Sequence, residues 1–373
     1  MRNTNDLQIA FGGKLNAYKL FLAKAINSIV KDNSYVSFIF QNSFLADKQA
    51  FNLRKTVLEK TQIYVLDSFP ERDSKKKRVF ESVKMSVCIL LLKKQNPTQK
   101  FVVNFWDDKF MSSGMTTKFS LQDIIGLDSE SYTIPRIKVQ NIPLAIKVKT
   151  INPILNIHCF EGELNMTVHK KFFSQNTNFP MVLKGASIQR YYWTTQMSQG
   201  QVEYLDVAKY ETAFPNSEKI KHHKFERIAL QGMTGANDAT RIVACIVPRN
   251  IYLANSCNYL LPLNECNIKA ELALLNSKLM NWYFKCFSTN SNVNGYEVDS
   301  LPFLKLNVEQ QEKLISNVEE LLNVNEYTNK TAIENQIDYL VYHLYNLTYD
   351  EVLVVDPNPP FTREQYESGD YNE

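Results

Sequence analysis

The stretch SYVSFIFQNSFLADKQAFNLRKTVLEKTQIYVLDSF, residues 34–69, decides the fold. Its opening SYVSFIF is rich in β-branched and aromatic residues and follows the turn-like KDNS, so it reads as a strand. SFLADKQAFNLRKTVLEK (43–60) reads as a helix and IYVLDSF (63–69) as a second strand. Upstream, residues 15–30 place Leu15, Tyr18, Leu22, Ala25, Ile26 and Ile29 at helical spacing. Downstream, a basic loop containing SKKKR (74–78) leads to KMSVCILLLKK (84–94), an apolar run that suits a strand covered on both faces. This order belongs to an α/β sheet. Three strands make a thin sheet, and its helices would lack neighbours on one side.

Residues 95–145 are polar and read as an irregular crossing to a second unit. From 146 to 305 short strands alternate with turns, and tyrosine, asparagine and basic residues are frequent. Amphipathic helices are expected at 270–287, 308–324 and 331–347, and no internal repeat is visible. The stretch EVLVVDPNPPF (351–361) reads as a buried strand ending at Asn358-Pro359-Pro360-Phe361.

Bulk composition is that of a soluble globular protein, with 44% hydrophobic and 22% charged residues. No apolar run spans a membrane and no secretion signal stands at the N-terminus, so a cytoplasmic location is expected. The six cysteines lack paired spacing and read as reduced thiols, with neither zinc nor disulfides indicated. Net charge is +3, but from Asp350 onward seven acids face one base, leaving a mildly basic body with an acidic tail. That balance is compatible with a nucleic-acid partner and equally with a solvated enzyme surface.

Residues 16–69 together with RVFESVKMSVCILLLKK resemble the second half of γ-class adenine-N6 DNA methyltransferases, including fused type IIG restriction–modification enzymes. SFIFQNSFL matches that family's strand ending in a Pro-Asn-Ser-Phe-like turn, with Gln41 in place of proline. VLKGASIQRYYW (182–193), KFERIALQGMTGANDATRIVACIV (224–247) and ELALLNSKLMNWYFKCFSTNSNVNGYEVDSLPF (271–303) resemble the TaqI-like target-recognition region, and IDYLVYHLYNLTYDEVLVVDPNPPFTREQYE resembles the usual end of such proteins. The resemblance implies a partial Rossmann-like sheet followed by a mixed α/β recognition domain with C-terminal helices. The expected division is 1–100 for the C-terminal half of a methyltransferase-like domain, 101–145 for a connection, 146–305 for target recognition, 306–349 for a helical hairpin and 350–373 for an acidic tail.

The chain departs from that family in one respect. It has eleven glycines and no G-x-G turn for S-adenosylmethionine, and the Asn-Pro-Pro-Tyr loop would lie upstream of residue 1. The tail Asn-Pro-Pro-Phe is read as a chance match, because family C-termini commonly run Val-Asp-Pro-x-x-Pro-Phe-Thr-Arg. The resemblance therefore implies sequence-specific recognition of double-stranded DNA within an adenine-specific methyltransferase. S-adenosylmethionine would serve the complete enzyme, with none expected for this chain alone. An upstream methyltransferase fragment or subunit would supply the chemistry, leaving this chain inactive by itself. The alternative is a non-catalytic specificity subunit that docks a separate methylase or nuclease.

The residues expected at DNA are Lys184, Gly185, Arg190 and Tyr191 in the first recognition segment, and Arg227, Gln231 and Arg241 in the second. Arg and Lys suit phosphates and guanine edges, Gln231 suits the N6/N7 edge of adenine, and Gly185 would let a backbone approach DNA. Asn292 and Asn294, with Asn290 and Ser291, are candidates in the third segment, although asparagine is equally a turn residue. Lys76 and Lys77 could meet phosphate, although a bare charge run is usually solvated. His222 and His223 lack partners at metal-ligand spacing, and no endonuclease arrangement of acids and lysine stands out.

Overall fold

The computed structural model of the chain describes residues 5–13, 15–151, 155–196, 201–235, 239–288, 291–323 and 330–369. The chain forms two compact units, residues 1–149 with 285–291 and residues 150–284 with 292–373.

The first unit is built on the 34–69 stretch and carries a wider sheet than the sequence suggests. Strands β1 (Tyr35–Gln41), β2 (Gln62–Phe69), β3 (Val87–Lys93), β4 (Phe101–Trp106) and β5 (Gly114–Phe119) lie in the order β1-β3-β2-β4-β5. Only the β2–β4 pair is parallel. The region 95–145, irregular on a sequence reading, thus contributes two strands and also α3 (Leu121–Leu127) and the start of α4 (Ile142–Thr150). Alternation is visible there: in Phe101–Trp106 the residues Phe101, Val103 and Phe105 are buried, and Ser120 and Asp123 form a capping box that starts α3.

Helices α1 (Ala17–Lys24) and α2 (Phe51–Lys60) pack one face of the sheet through β1 and β2 respectively. Tyr18 stacks on Phe40 at 5.0 Å, and Leu22, Leu53 and Val57 are fully buried. The helix expected over 43–60 begins only at Phe51. Asp47 turns its carboxylate back to accept from the amide of Gln49 at 2.8 Å, holding the preceding residues in short 3-10 turns. Inside that turn Arg54 is fully buried and donates to the carbonyls of Phe44, Asp47, Ser131 and Tyr132. Phe44 and Asn42 are buried as well, Asn42 accepting from Ser68 at 3.0 Å. The turn after β1 is therefore filled by its own side chains.

The second unit holds two four-stranded sheets. Strands β6 (Cys159–Glu161), β7 (Phe173–Ser174), β8 (Met181–Leu183), β9 (Glu203–Leu205), β10 (Arg227–Gln231), β11 (Ala244–Val247), β12 (Tyr252–Leu253) and β13 (Cys257–Leu260) order as β11-β10-β13-β6 and β12-β8-β9-β7. A shared core of Leu183, Ile188, Ala229, Val247, Leu253 and Tyr259 lies between them. Helices α5 (Val207–Ala213), α6 (Ile268–Asn276), α7 (Lys278–Phe287), α8 (Gly295–Asp299), α9 (Val308–Asn323) and α10 (Lys330–Leu344) follow or interleave, and the end of α7 belongs with the first unit.

The C-terminus departs from the sequence reading most plainly. EVLVVDPNPPF is not a strand: α11 (Tyr349–Val355) covers its start, and α12 (Arg363–Ser368) follows. Thr348 and Glu351 form a capping box, and this local start signal overrides the β-branched run. Among its described residues the acidic end also packs against the fold through particular side chains. Phe361 and Tyr366 are buried and stacked at 5.5 Å, and Asp356 pairs with Lys278 at 2.8 Å. Asn-Pro-Pro-Phe is a turn that seats Phe361 in this aromatic cluster, which accounts for it without catalysis.

Candidate nucleic-acid interface

Strand β10 is apolar from Ile228 to Leu230 and polar at both ends, and the two ends have different fates. At its start Arg227 is fully buried. Its guanidinium pairs with the buried Glu163, donates to the carbonyl of Ile251 at 2.7 Å and lies over the Tyr259 ring at 4.8 Å. Glu163 in turn accepts from the amide of Leu253 at 2.9 Å, so the pair ties β10 to β12 across the two sheets. Such a group is closed to DNA, and the expectation that Arg227 reads a base or phosphate is corrected.

Arg241 is corrected for the same reason. It is 2% exposed, donates through Nε to Thr234 Oγ1 at 2.8 Å and through Nη2 to the carbonyl of Asn292 at 3.2 Å, and covers the Phe284 ring. Arg190 clasps Glu334 of α10 at 2.6 Å and the carbonyl of Asn276 at the end of α6. Tyr191 is buried, because the tight turn Gln189–Tyr192 gives it a left-handed φ of 70° and aims it inward. The outward residue of that turn is Tyr192, 55% exposed. Gly185 has an internal explanation too: a Cβ there would meet the carbonyl oxygen of Ser256 at 2.5 Å, so the close backbone approach is to its own chain. Asn294 caps α8, sharing the Glu297 carboxylate through its amide at 2.9 Å and its side chain at 2.8 Å.

The other end of β10 opens onto a rim. Gln231 is half-buried and donates from Nε2 to the carbonyl of Ile188 at 2.7 Å. An amide nitrogen carries two hydrogens, so one N–H and Oε1 remain, the donor–acceptor pair that an adenine edge requires. Met233 follows at 65% exposure and forms a β-bridge with Asn292, while Val293 donates its amide to Gly232 at 3.0 Å. Gly185 and Gly232 both reach Ser256, through its hydroxyl and its carbonyl. Parts of all three recognition segments therefore meet at one end of the β11-β10-β13-β6 sheet. The exposed groups there are Tyr192, with the Lys330 ammonium over its ring at 5.6 Å, and the uncharged Met233 and Asn292, with Gln231 partly open. Asn290 lies outside the described residues.

Lys184 stands beside this rim and is paired with Glu203 at 3.1 Å. It lines a groove of about 730 Å³ together with Lys170, Thr167, Ser174 and Gln175. Lys170 is exposed and is not among the residues expected at DNA; KK before FF (170–173) offers the only signal for it in the sequence. His222 and His223 add no cation at neutral pH. Burial, reinforced by neighbouring Arg227, holds both imidazoles below their usual range, and His222 Nδ1 lies 2.8 Å from the Tyr259 hydroxyl. In the first unit Lys76 and Lys77 occupy an exposed 3-10 turn, Lys77 lying 3.8 Å from Asp108. Among the described residues no group of three or more His, Cys, Asp or Glu is placed to hold a metal, and no helix is long and apolar enough to cross a membrane.

Residues 180–303 match the family model of the TaqI-like C-terminal specificity domain, and residues 3–75 match that of the Eco57I restriction-modification methylase. No curated protein matches the chain. Among solved structures, the type IIL restriction-modification enzyme MmeI, solved in complex with DNA, is similar at a TM-score of 0.56 and 10% identity, over 95% of this chain and 54% of that one. The type IIG restriction endonuclease BpuSI aligns at a TM-score of 0.32 and 12% identity, over 91% of this chain and 51% of that one. The chain thus spans about half the length of these structures. The rim is formed largely by residues of the first match and the five-stranded sheet begins within the second: the chain is similar to the Eco57I restriction-modification methylase over 3–75 and to the TaqI-like C-terminal specificity domain over 180–303.

Proposed function

We propose that this chain is the DNA-recognising part of an adenine-N6 DNA methyltransferase from a restriction–modification system. The single observation that carries the proposal is the meeting of three recognition segments at the Gln231 end of β10, where uncharged hydrogen-bonding groups are exposed and the buried arginines serve only as scaffold. Uncharged amides suit base edges, whereas Lys170, Lys184, Lys76 and Lys77 suit phosphates. The similar structure of MmeI was solved in complex with DNA, which supports the same reading.

The intact reaction would move a methyl group from S-adenosylmethionine to N6 of an adenine taken out of the stack. On this reading the turn after β1 does not hold the cofactor. The turn after β1 is filled by Asn42 and Phe44, and no glycine follows the strand to let backbone amides approach an adenosyl group. Cofactor binding and the catalytic loop would come from another segment or subunit.

Two measurements test the proposal. The purified chain should shift duplex DNA in a sequence-dependent manner, with affinity falling as salt rises. With tritiated S-adenosylmethionine and duplex DNA the chain alone should incorporate no label. Absence of any sequence preference would refute the recognition role, and robust incorporation would refute the division of labour.

A further inference from the structure

Strands β1, β2 and β4 run in one direction and end together at Gln41, Phe69 and Trp106, where β3 and β5 begin. The loop 70–86 and the hairpin turn 107–113 therefore share one edge of the five-stranded sheet, at the carboxyl ends of those three strands. Open α/β sheets receive their ligands at such an edge.

The hairpin turn is fixed by its neighbours. Lys109 donates its amide to the carbonyl of Lys77 at 3.2 Å, and Arg72 donates to the carbonyl of Asp107. The Asp107 carboxylate accepts from Arg136 at 3.2 Å. The Asp108 carboxylate accepts from the amide of Phe110 at 3.0 Å and lies 3.8 Å from Lys77. Both acids of the turn are thus occupied by bases from other segments. What the turn presents to solvent is apolar: Phe110 is 61% exposed and Met111 50%. Met111 has a left-handed φ of 54°, which glycine adopts at less cost, so a large side chain stands there against the backbone's preference.

Cations surround this tip. Across residues 71–84 six bases face three acids. Lys75 and Lys76 are exposed, and Lys109, paired with Glu81 at 3.1 Å, lies 5.7 Å from the centre of the Phe110 ring. Surplus positive charge attracts a polyanion, and Phe and Met are side chains that enter between base steps as wedges. A rigid apolar tip among lysines suits a stacked duplex better than an apolar protein surface, against which the lysines would lose water without gaining a partner.

We infer that Phe110, with Met111, is a wedge that enters between two neighbouring base pairs of duplex DNA while Lys75 and Lys76 meet the flanking phosphates. The inference rests on the DNA-recognition reading and goes beyond it, because this contact opens the stack and reads no base edge.

The test uses the full chain and a duplex enriched on it. Fluorescent 2-aminopurine replaces each adenine in turn and pyrrolocytosine each cytosine, so every base pair carries a reporter that brightens when its stacking is lost. With saturating chain a rise at one base step is expected. Phe110→Ala should abolish it and weaken binding about tenfold, since base–aromatic stacking contributes roughly 5- to 150-fold per base and part of that offsets the unstacking. Phe110→Leu keeps an apolar wedge and should retain a rise at the same step. Replacing Lys75 and Lys76 with glutamine should lower the affinity and leave the rise at saturation unchanged. All three variants should keep the wild-type melting curve, because the altered side chains are exposed. A site bound with sequence preference but with no rise at any pair, or a rise that survives Phe110→Ala, would overturn the wedge and leave recognition standing. Self-association of the chain that Phe110→Ala abolishes would overturn it too, by giving the tip another occupant. A chain that shifts no duplex would sink the recognition reading and the wedge together.

Discussion

Replacing Gln231 with alanine tests the interface at its most specific point. The side chain is held in place by its bond to Ile188, 2.7 Å long, which leaves one N–H and Oε1 for a base. A bidentate contact to adenine contributes about 1–3 kcal/mol of discrimination, or roughly 5- to 150-fold in affinity at one position. The substitution also leaves the Ile188 carbonyl without this donor, at about 1 kcal/mol of stability, so the variant should still fold. The assay is fluorescence anisotropy. A randomised duplex pool is first enriched on the wild-type chain, and each base of the resulting site is then varied. Gln231→Ala should flatten the preference at a single adenine while leaving the salt dependence unchanged, because every lysine that neutralises a phosphate stays in place. A uniform loss at every position, or full retention of the adenine preference, would refute the placement of Gln231 at a base edge.

Three further perturbations separate scaffold from interface. Arg227→Ala strands Glu163 in the core and should cost about 3–5 kcal/mol in urea unfolding; a loss of DNA affinity without loss of stability would contradict its structural role. Burial raises the carboxyl of Glu271 to about 7, so its neutral form is favoured in the folded chain: stability is fully present below the unfolded value near 4.5 and lost as pH rises through about 7. Glu271→Gln should remove about 3 kcal/mol of that decline, read by denaturation between acid and neutral pH, and an undiminished decline would mean that another group causes it. Replacing Lys76 and Lys77 with glutamine should reduce the slope of log affinity against log salt by about 0.9 for each phosphate left without its lysine, and an unchanged slope would mark both as solvated.

The three strands expected in the 34–94 region are all present, because each couples a β-branched or aromatic run to a clear turn. Other signals decide the rest. Strands β4 and β5 escape a reading of apolar density because polar residues alternate there, and alternation in a sheet covered on one face resembles loop composition when density alone is weighed. The C-terminal helix α11 reads as a strand because Val352, Val354 and Val355 are β-branched. A cap is a local hydrogen-bonding event, and Thr348 with Glu351 outweighs their weak intrinsic preference.

The site is legible by segment and not by residue. Sequence order singles out three stretches that meet at one rim, yet within them it favours arginine, and arginine is as useful for joining elements as for meeting phosphate. The distinguishing quantity is how many donors the fold itself satisfies. Arg227 reaches Glu163 and Ile251, Arg241 reaches Thr234 and Asn292, and Arg190 reaches Glu334 and Asn276. Most of these bonds join segments distant in sequence, so no local pattern reveals them. These same bonds hold Gln231, Met233 and Asn292 at one rim, and rigid support of that kind is what a base-reading amide needs, since a misplaced donor discriminates poorly. On the proposed reading, the buried arginines therefore bear on recognition only through the groups they position. An Arg241→Lys chain should on this argument lose adenine preference and thermal stability together, because lysine cannot reach Thr234 and Asn292 at once while covering Phe284. Anisotropy titrations and a thermal melt of the same preparation check it, and an adenine preference that survives a lowered melting temperature would refute the coupling.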